Sequence, residues 1–379
     1  MSESISWREP LLFTPGPLTT SLAVKEAMLK DFGARDENFL SIVLDIRNRL
    51  LKLADVTGGE YESILMQGCG SMGVEATIGT AIPRDGSLLA IVNGAYGQRI
   101  FVMAKTLGIN VVVLEYPENK RAVPEDVNGS LSDHPEITHV AVVHCETTSG
   151  LFNPIKEIGE IVAKHKRSYI VDAMSSFAAV PVNMKQWGID WLVSSANKCI
   201  EGVPGFSFVI ANAKALASCK GNSRSLCLDL FAQHIDMQKN GQFRYTPPTH
   251  AILAFHKALL ELEAEGGPDA RMRRYQENCA TLRNNMAEIG FKEFLAPDDH
   301  GWIITSFRYP EHPNFSFDVF YERLKKEGFV IYPGKVGNAE LFRIGNIGRL
   351  RKQDIANLTS AIQRTLKNMK IDKVCDIRK

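Results

Sequence analysis

Trp191-Leu-Val-Ser-Ser-Ala-Asn-Lys198-Cys-Ile-Glu-Gly-Val-Pro-Gly205 is an apolar run that closes on small polar residues, one lysine and a Gly/Pro-rich turn. Between Arg167 and Lys214 the only other basic residue is Lys185. An ammonium among small and apolar side chains is poorly solvated, which lowers its pKa. An amine that is neutral near pH 7 can attack a carbonyl and form a Schiff base. Taken alone, the stretch also fits a surface lysine at a strand end. Upstream, Tyr169-Ile-Val-Asp172-Ala-Met-Ser-Ser176 has the same shape: a short apolar strand that ends in a carboxylate and small residues.

Outward from these two stretches the pattern is strand–helix alternation. Strands are predicted at Ser63–Met66, Ser87–Val92, Asn110–Leu114, His139–His144, Ser168–Val171, Trp191–Ser194 and Phe206–Ile210. Helices are predicted at Met72–Ile82, Gly97–Leu107, Val123–His134, Pro154–His165 and Asn183–Trp187. Such alternation means an α/β fold with a mostly parallel sheet sandwiched by helices. Ligands then sit beyond the carboxyl ends of the strands. Gln67-Gly68, Asn93-Gly94, Glu146-Thr147, Asp172 and Asn197-Lys198 all fall at such ends, and so describe one crevice. Before the sheet, helices are expected at Leu22–Phe32 and Phe39–Leu53, after a stiff Thr-Pro-Gly-Pro17 turn. Helices at Thr249–Ala264 and Arg271–Ile289 follow it. Beyond them comes a smaller α/β pattern: strand Ile303–Arg308, helix Phe317–Glu327, strands Val330–Tyr332 and Leu341–Ile344, and helix Lys352–Lys367. The division is a large domain, 18–265, and a small domain formed by 1–17 and 266–379.

Gly68-Cys-Gly70-Ser-Met-Gly73 satisfies G-x-G-x-x-G between a strand and a helix. A dinucleotide site would end the next strand in Asp or Glu, and here it ends Ile91-Val92-Asn93-Gly94. A narrower reading remains: free N–H groups at Gly70, Ser71 and Met72, with the Ser71 hydroxyl, suit one phosphate at a helix start. A plain Gly-rich turn is the alternative. A phosphate cradle, an aspartate and a desolvated lysine at neighbouring strand ends match pyridoxal 5′-phosphate. The lysine condenses with its aldehyde, and the aspartate keeps the pyridine nitrogen protonated. Tyr96 at the next strand end is placed to stack on a ring, or is a half-buried core tyrosine. Thr148, in His144-Cys-Glu-Thr-Thr148-Ser-Gly150, either meets the ring hydroxyl or belongs to a polar turn.

The formal net charge of +1 and the absence of basic tracts point away from nucleic acid and membrane surfaces. No apolar run approaches the roughly 20 residues of a spanning helix. Met1–Pro10 has no apolar signal core. Seven scattered cysteines, with no Cys-x-x-Cys pair, read as reduced thiols of a cytoplasmic protein.

Several long strings resemble the class V aminotransferases of the fold-type I pyridoxal-phosphate family. They include Phe13-Thr-Pro-Gly-Pro-Leu-Thr-Thr-Ser21, Asn93-Gly-Ala-Tyr-Gly97, Ile170-Val-Asp-Ala-Met-Ser-Ser-Phe177 and Ser194-Ser-Ala-Asn-Lys-Cys-Ile200. Tyr245-Thr-Pro-Pro-Thr-His250 and Gly328-Phe-Val-Ile-Tyr-Pro-Gly-Lys335 extend the resemblance, which runs from about residue 10 to residue 368. It implies that Lys198 carries the cofactor, Asp172 faces the ring nitrogen and Tyr96 stacks. Gly70, Ser71 and Met72 would lie at the phosphate with Asn197 nearby, and Thr148 at the ring hydroxyl. Thr246 would reach the phosphate of the second subunit of a homodimer. Arg343 would hold the substrate's anionic group, and a planar fork in an apolar strand suits a carboxylate or phosphonate. An internal salt bridge is its alternative. The implied reaction moves the amino group of 2-aminoethylphosphonate to pyruvate in two half-reactions, so an amino phosphonate and a 2-oxo acid are the expected small-molecule partners. Gly33-Ala-Arg35-Asp-Glu-Asn-Phe39 is similar instead to alanine–glyoxylate transaminases. A class V transaminase of alanine/serine–glyoxylate type is therefore the alternative function. Arg35 is either a second anion contact or an ion pair with Asp36 or Glu37.

Overall fold

The computed structural model describes residues 9–336, 339–372 and 374. Its centre is a seven-stranded sheet. In chain order the strands are β1 (Tyr61–Gln67), β2 (Ser87–Val92), β3 (Asn110–Glu115), β4 (His139–Val143), β5 (Ser168–Asp172), β6 (Trp191–Ser195) and β7 (Phe206–Asn212). They lie side by side as β1-β7-β6-β5-β4-β2-β3. β7 runs antiparallel to both of its neighbours, and the remaining pairings are parallel. Every residue of β2, β4 and β6 is buried, as expected of strands covered on both faces. Edge strand β3 is partly exposed along its length.

The layer of helices over the sheet explains where the site lies. Helix Ala95–Thr106 packs on β2 through Gly97. A Cβ there would sit 2.8 Å from the Ile91 carbonyl oxygen and 3.0 Å from Val92 Cα, so only glycine permits the approach. Helix Gly70–Ala81 leaves β1 and packs across β6 and β7. Between β4 and β2 the strand order reverses, and the loops that follow them diverge. That opens the crevice in which α/β sheets hold ligands.

A second apolar core gathers Phe13 with residues from Leu282 to Val374. It surrounds a three-stranded antiparallel sheet of Ile304–Arg308, Ala339–Gly345 and Tyr332–Val336. The N-terminal segment joins this core: Leu11–Leu12 pairs with Phe329–Val330, and the Gly345 amide donates to the Phe13 carbonyl at 3.0 Å. Residues 14–17 are thereby carried over the carboxyl edge of the large sheet. A buried polar cluster ties the turn after Lys198 to helix Gly267–Ile289. Both the Arg274 guanidinium and the Tyr275 hydroxyl meet Glu201 at 2.7 Å, and Arg271 pairs with Glu265 at 2.7 Å.

Several elements differ from the sequence reading, among them the following. The expected helix Asn183–Trp187 is a run of turns, stopped after a single turn by Gly188 at φ 64°. Leu22–Phe32 shortens to an α-helix at Leu22–Glu26 and a 3₁₀ turn at Ala27–Leu29. Val330–Tyr332 divides, with Val330 pairing to Leu12 and Tyr332 opening another strand. Helices Ala213–Ala217 and Leu230–Asn240 were not anticipated, although Asp229 caps the second and Gly241 ends it at φ 74°. Residues 1–8, on which the reading of the N-terminus mainly bears, lie outside the described residues. No helix of the described residues is long and apolar enough to cross a membrane.

Candidate active site

Loops from five strands meet over the carboxyl edge of the sheet and line an open cleft of about 170 Å³. Gly70, Ser71, Tyr96, Asp172, Asn197 and Lys198 all line it. Lys198 leaves β6 on a tight turn: the Glu201 amide donates to the Lys198 carbonyl at 2.7 Å and the Gly202 amide to the Ala196 carbonyl at 3.0 Å. Its Nζ donates to the carbonyls of Pro15 at 2.7 Å and Gly16 at 3.2 Å. Burial brings its pKa down to about 8, and the Arg343 charge acts in the same direction. A substantial neutral fraction near pH 7.5 is what a Schiff-base lysine requires. Asp172, at the end of β5, is buried and accepts the Met174 amide at 2.9 Å. Burial pushes its carboxyl up to about 6, a position that favours a cationic partner.

Gly16 supports the amine from the opposite wall. Its φ is +106°, and a Cβ would lie 2.7 Å from Lys198 Cδ and 2.9 Å from Nζ. Gly16→Ala therefore combines backbone strain with displacement of the amine. We expect it to lower turnover by about 10²-fold through misplacement of one reacting group, with an unchanged circular-dichroism spectrum. Wild-type kinetics in that variant would contradict the packing.

Two residues to which the sequence reading gave no role, Glu146 and Arg99, organise the tyrosine wall. Glu146 is buried and accepts the Tyr96 amide at 3.0 Å, the Gly97 amide at 2.8 Å and the Thr148 hydroxyl at 2.9 Å. It thus caps helix Ala95–Thr106, and burial lifts its carboxyl to about 7. Arg99 stands one turn after Tyr96, with its guanidinium 4.8 Å from the tyrosine ring centre and 2.8 Å from Ser71 Oγ. Their i, i+3 spacing was the available signal for Arg99. Glu146 offered only its place at a strand end.

The other expected residues are distributed as follows. Thr148 turns its hydroxyl to Glu146, and Thr147 lines the cleft in its stead. Met72 is exposed, and its amide bonds the Cys69 carbonyl at 2.9 Å, so the first-turn donors facing the cleft are those of Gly70 and Ser71. Asn197 accepts the Ser195 hydroxyl at 3.1 Å. Thr246 is exposed and does not line the cleft of its own chain; its carbonyl accepts the Gln67 side-chain N–H at 3.4 Å. Arg35 is exposed, and Asp36 beside it caps helix Glu37–Leu53. Arg343 donates to the carbonyls of Thr147 at 2.8 Å and Pro333 at 2.9 Å, and lies 4.8 Å from the Tyr332 ring centre. No carboxylate of the described residues pairs with it, and burial lowers its pKa. The internal salt bridge is thus absent among the described residues, and a half-buried fork is left with donors to spare.

The donor set can be tested against the expected cofactor. An aldehyde needs the neutral amine, a pyridinium needs the buried carboxylate, a ring needs the tyrosine face, and a phosphate needs helix-start amides with a hydroxyl. Each demand has its group on the same cleft. Among the described residues no cluster of side chains could hold a metal ion.

Such a fold and site define an aminotransferase, and the chain belongs to the class-V aminotransferases: their family model matches residues 41–320. It is 50% identical over 360 residues to a 2-aminoethylphosphonate–pyruvate transaminase of Vibrio vulnificus, covering 94% of this chain and 98% of the relative. An enzyme of the same name from Lysinibacillus sphaericus is 49% identical over 352 residues, 93% of this chain and 96% of the relative. In three dimensions the chain is similar to the ureidoglycine–glyoxylate aminotransferase of Bacillus subtilis, with a TM-score of 0.89 at 21% identity, covering 98% and 96% of the two chains. It is also similar to the pyridoxamine–pyruvate aminotransferase of Mesorhizobium loti, with a TM-score of 0.87 at 23% identity, covering 97% and 95%.

Proposed function

We propose that the chain is a pyridoxal-phosphate-dependent aminotransferase that moves the amino group of 2-aminoethylphosphonate to pyruvate, giving phosphonoacetaldehyde and L-alanine. The observation that carries the reading is the joint placement of the Lys198 amine and the Asp172 carboxylate on one cleft, beside an Arg343 guanidinium that no carboxylate of the described residues pairs with. The full-length likeness to relatives bearing that activity in their name supports the substrate pair.

When bound, the cofactor supplies an electron sink for the carbon that loses a proton. The chain's residues do the rest. Gly70 and Ser71 hold the phosphate, Tyr96 supports the ring face, and Asn197 lines the floor. Asp172 keeps a proton on the ring nitrogen. With the cofactor bound, the Lys198 amine would be the base that takes the proton from the amine-bearing carbon of the substrate, and it would deliver that proton to the cofactor carbon on the same face. Met72 contributes its position in the first helical turn, and Thr148 orders the wall through Glu146. We assign residues 18–265 to the cofactor-binding domain and 1–17 with 266–379 to the small domain, a division supported by the two larger apolar cores, with a small third cluster, which includes Leu18, Cys145, Cys199, Tyr275, Ile303 and Ile347, joining the two sides. We also propose a homodimer, in which the exposed Thr246 serves the neighbouring site.

Arg343 is proposed to grip the substrate anion. Arg343→Lys keeps the charge and loses the fork. We expect KM for the amino phosphonate to rise about 10–100-fold with a smaller change in kcat. An unchanged KM would remove Arg343 from recognition. A half-reaction panel tests the whole assignment. The loaded protein is given 2-aminoethylphosphonate, alanine, serine or aspartate singly, and loss of the cofactor's aldehyde absorbance is followed. The first two should react. Preference for serine, or for glyoxylate over pyruvate as acceptor, would move the protein to the glyoxylate type.

A further inference from the structure

We infer that Arg99 is the cation that holds the cofactor's phosphate, an inference that rests on the pyridoxal-phosphate reading above. Three observations carry it. The Arg99 guanidinium lies at the start of helix Gly70–Ala81, 2.8 Å from Ser71 Oγ, and lines the same cleft as Gly70 and Ser71. It has no ion pair among the described residues; it is near enough to Asp172 to favour that group's charged form without bonding it. Its guanidinium carbon lies over the Tyr96 ring, 4.8 Å from the ring centre, which holds the head group at the cleft that both residues line.

Charge and proton accounting point the same way. A phosphate monoester carries nearly two negative charges, whereas a helix start supplies about half a positive one. The two other cations near the cleft have different tasks: Lys198 meets the aldehyde end and Arg343 the substrate. Because Ser71 Oγ accepts from Arg99, its own proton is directed elsewhere and can be donated to the anion. Guanidinium, hydroxyl and two first-turn amides then form one set of donors for the phosphate oxygens. Charge-assisted bonds from a fork are the stronger kind. The side chain is exposed on its helix, so its removal should leave the fold intact.

Cofactor-stripped protein is titrated with pyridoxal 5′-phosphate and, separately, with pyridoxal, which lacks the phosphate. Arg99→Gln should weaken binding of the first about 10–100-fold and of the second less than about twofold. Arg99→Lys should recover part of the loss. Equal losses for both ligands would make Arg99 a support for Tyr96 and overturn the inference. Unchanged cofactor affinity with a raised KM for the amino phosphonate would overturn it too, assigning the guanidinium to substrate. Wild-type protein that binds neither ligand would overturn the cofactor reading itself, a result distinct from either of these.

Discussion

Lys198→Ala should fold, bind cofactor only reversibly and turn over at least about 10⁴-fold more slowly than wild type, since the nucleophile and the proton carrier are lost together. The amine is held by the Pro15 and Gly16 carbonyls at 2.7 and 3.2 Å, and its pKa is brought down to about 8 by burial. Among the described residues no second lysine lines the cleft to take its place. Added methylamine should restore part of the rate, because an external amine can carry the same proton. Steady-state kinetics with and without the added amine check this. Near-wild-type turnover in the variant would place the chemistry on another residue.

Asp172→Asn has two effects of opposite sign. With cofactor, the ring nitrogen loses its ionic partner, and turnover should fall about 10²–10⁴-fold. Without cofactor the variant should be more stable than wild type above pH 6. The folded carboxyl sits near 6 because of burial, whereas an unfolded aspartate titrates near the usual value of about 3.9. The protonated form is therefore the one the fold favours. Its contribution is complete below about pH 4 and is lost as pH rises through 6. A neutral amide escapes that loss, which integrates to about 3 kcal/mol by pH 8. The Met174 amide that donates to the carboxylate at 2.9 Å can donate equally to the amide oxygen. Thermal melts of cofactor-free protein at pH 4 and pH 8 check the sign. A variant less stable than wild type at pH 8 would contradict it.

What could be read from the chain follows from the geometry of parallel sheets. Side chains at carboxyl ends of neighbouring strands converge whatever the loops do, so Asp172 and Lys198 were visible as a pair. The direction of β7 was not recognised, yet the cue was present: Ala196–Gly205 holds no crossover helix, and a parallel return needs about a dozen residues or more. Arg99 and Ser71 are 28 positions apart and meet only because two helix starts face each other. Nothing local in either segment encodes that approach. Thr148 was expected to face the ring because hydroxyls in such turns have several acceptors within reach. Buried Glu146 claims it, and a buried carboxylate gathers every donor nearby.

The central claim is that Lys198 alone carries the cofactor in this cleft. Reduction of the loaded wild-type protein with borohydride, followed by peptide mass mapping, tests it most directly. The account predicts one phosphopyridoxyl group, on the peptide containing Lys198, and none on any other lysine. Modification centred on a different lysine, or a protein that leaves reduction unlabelled, would contradict it.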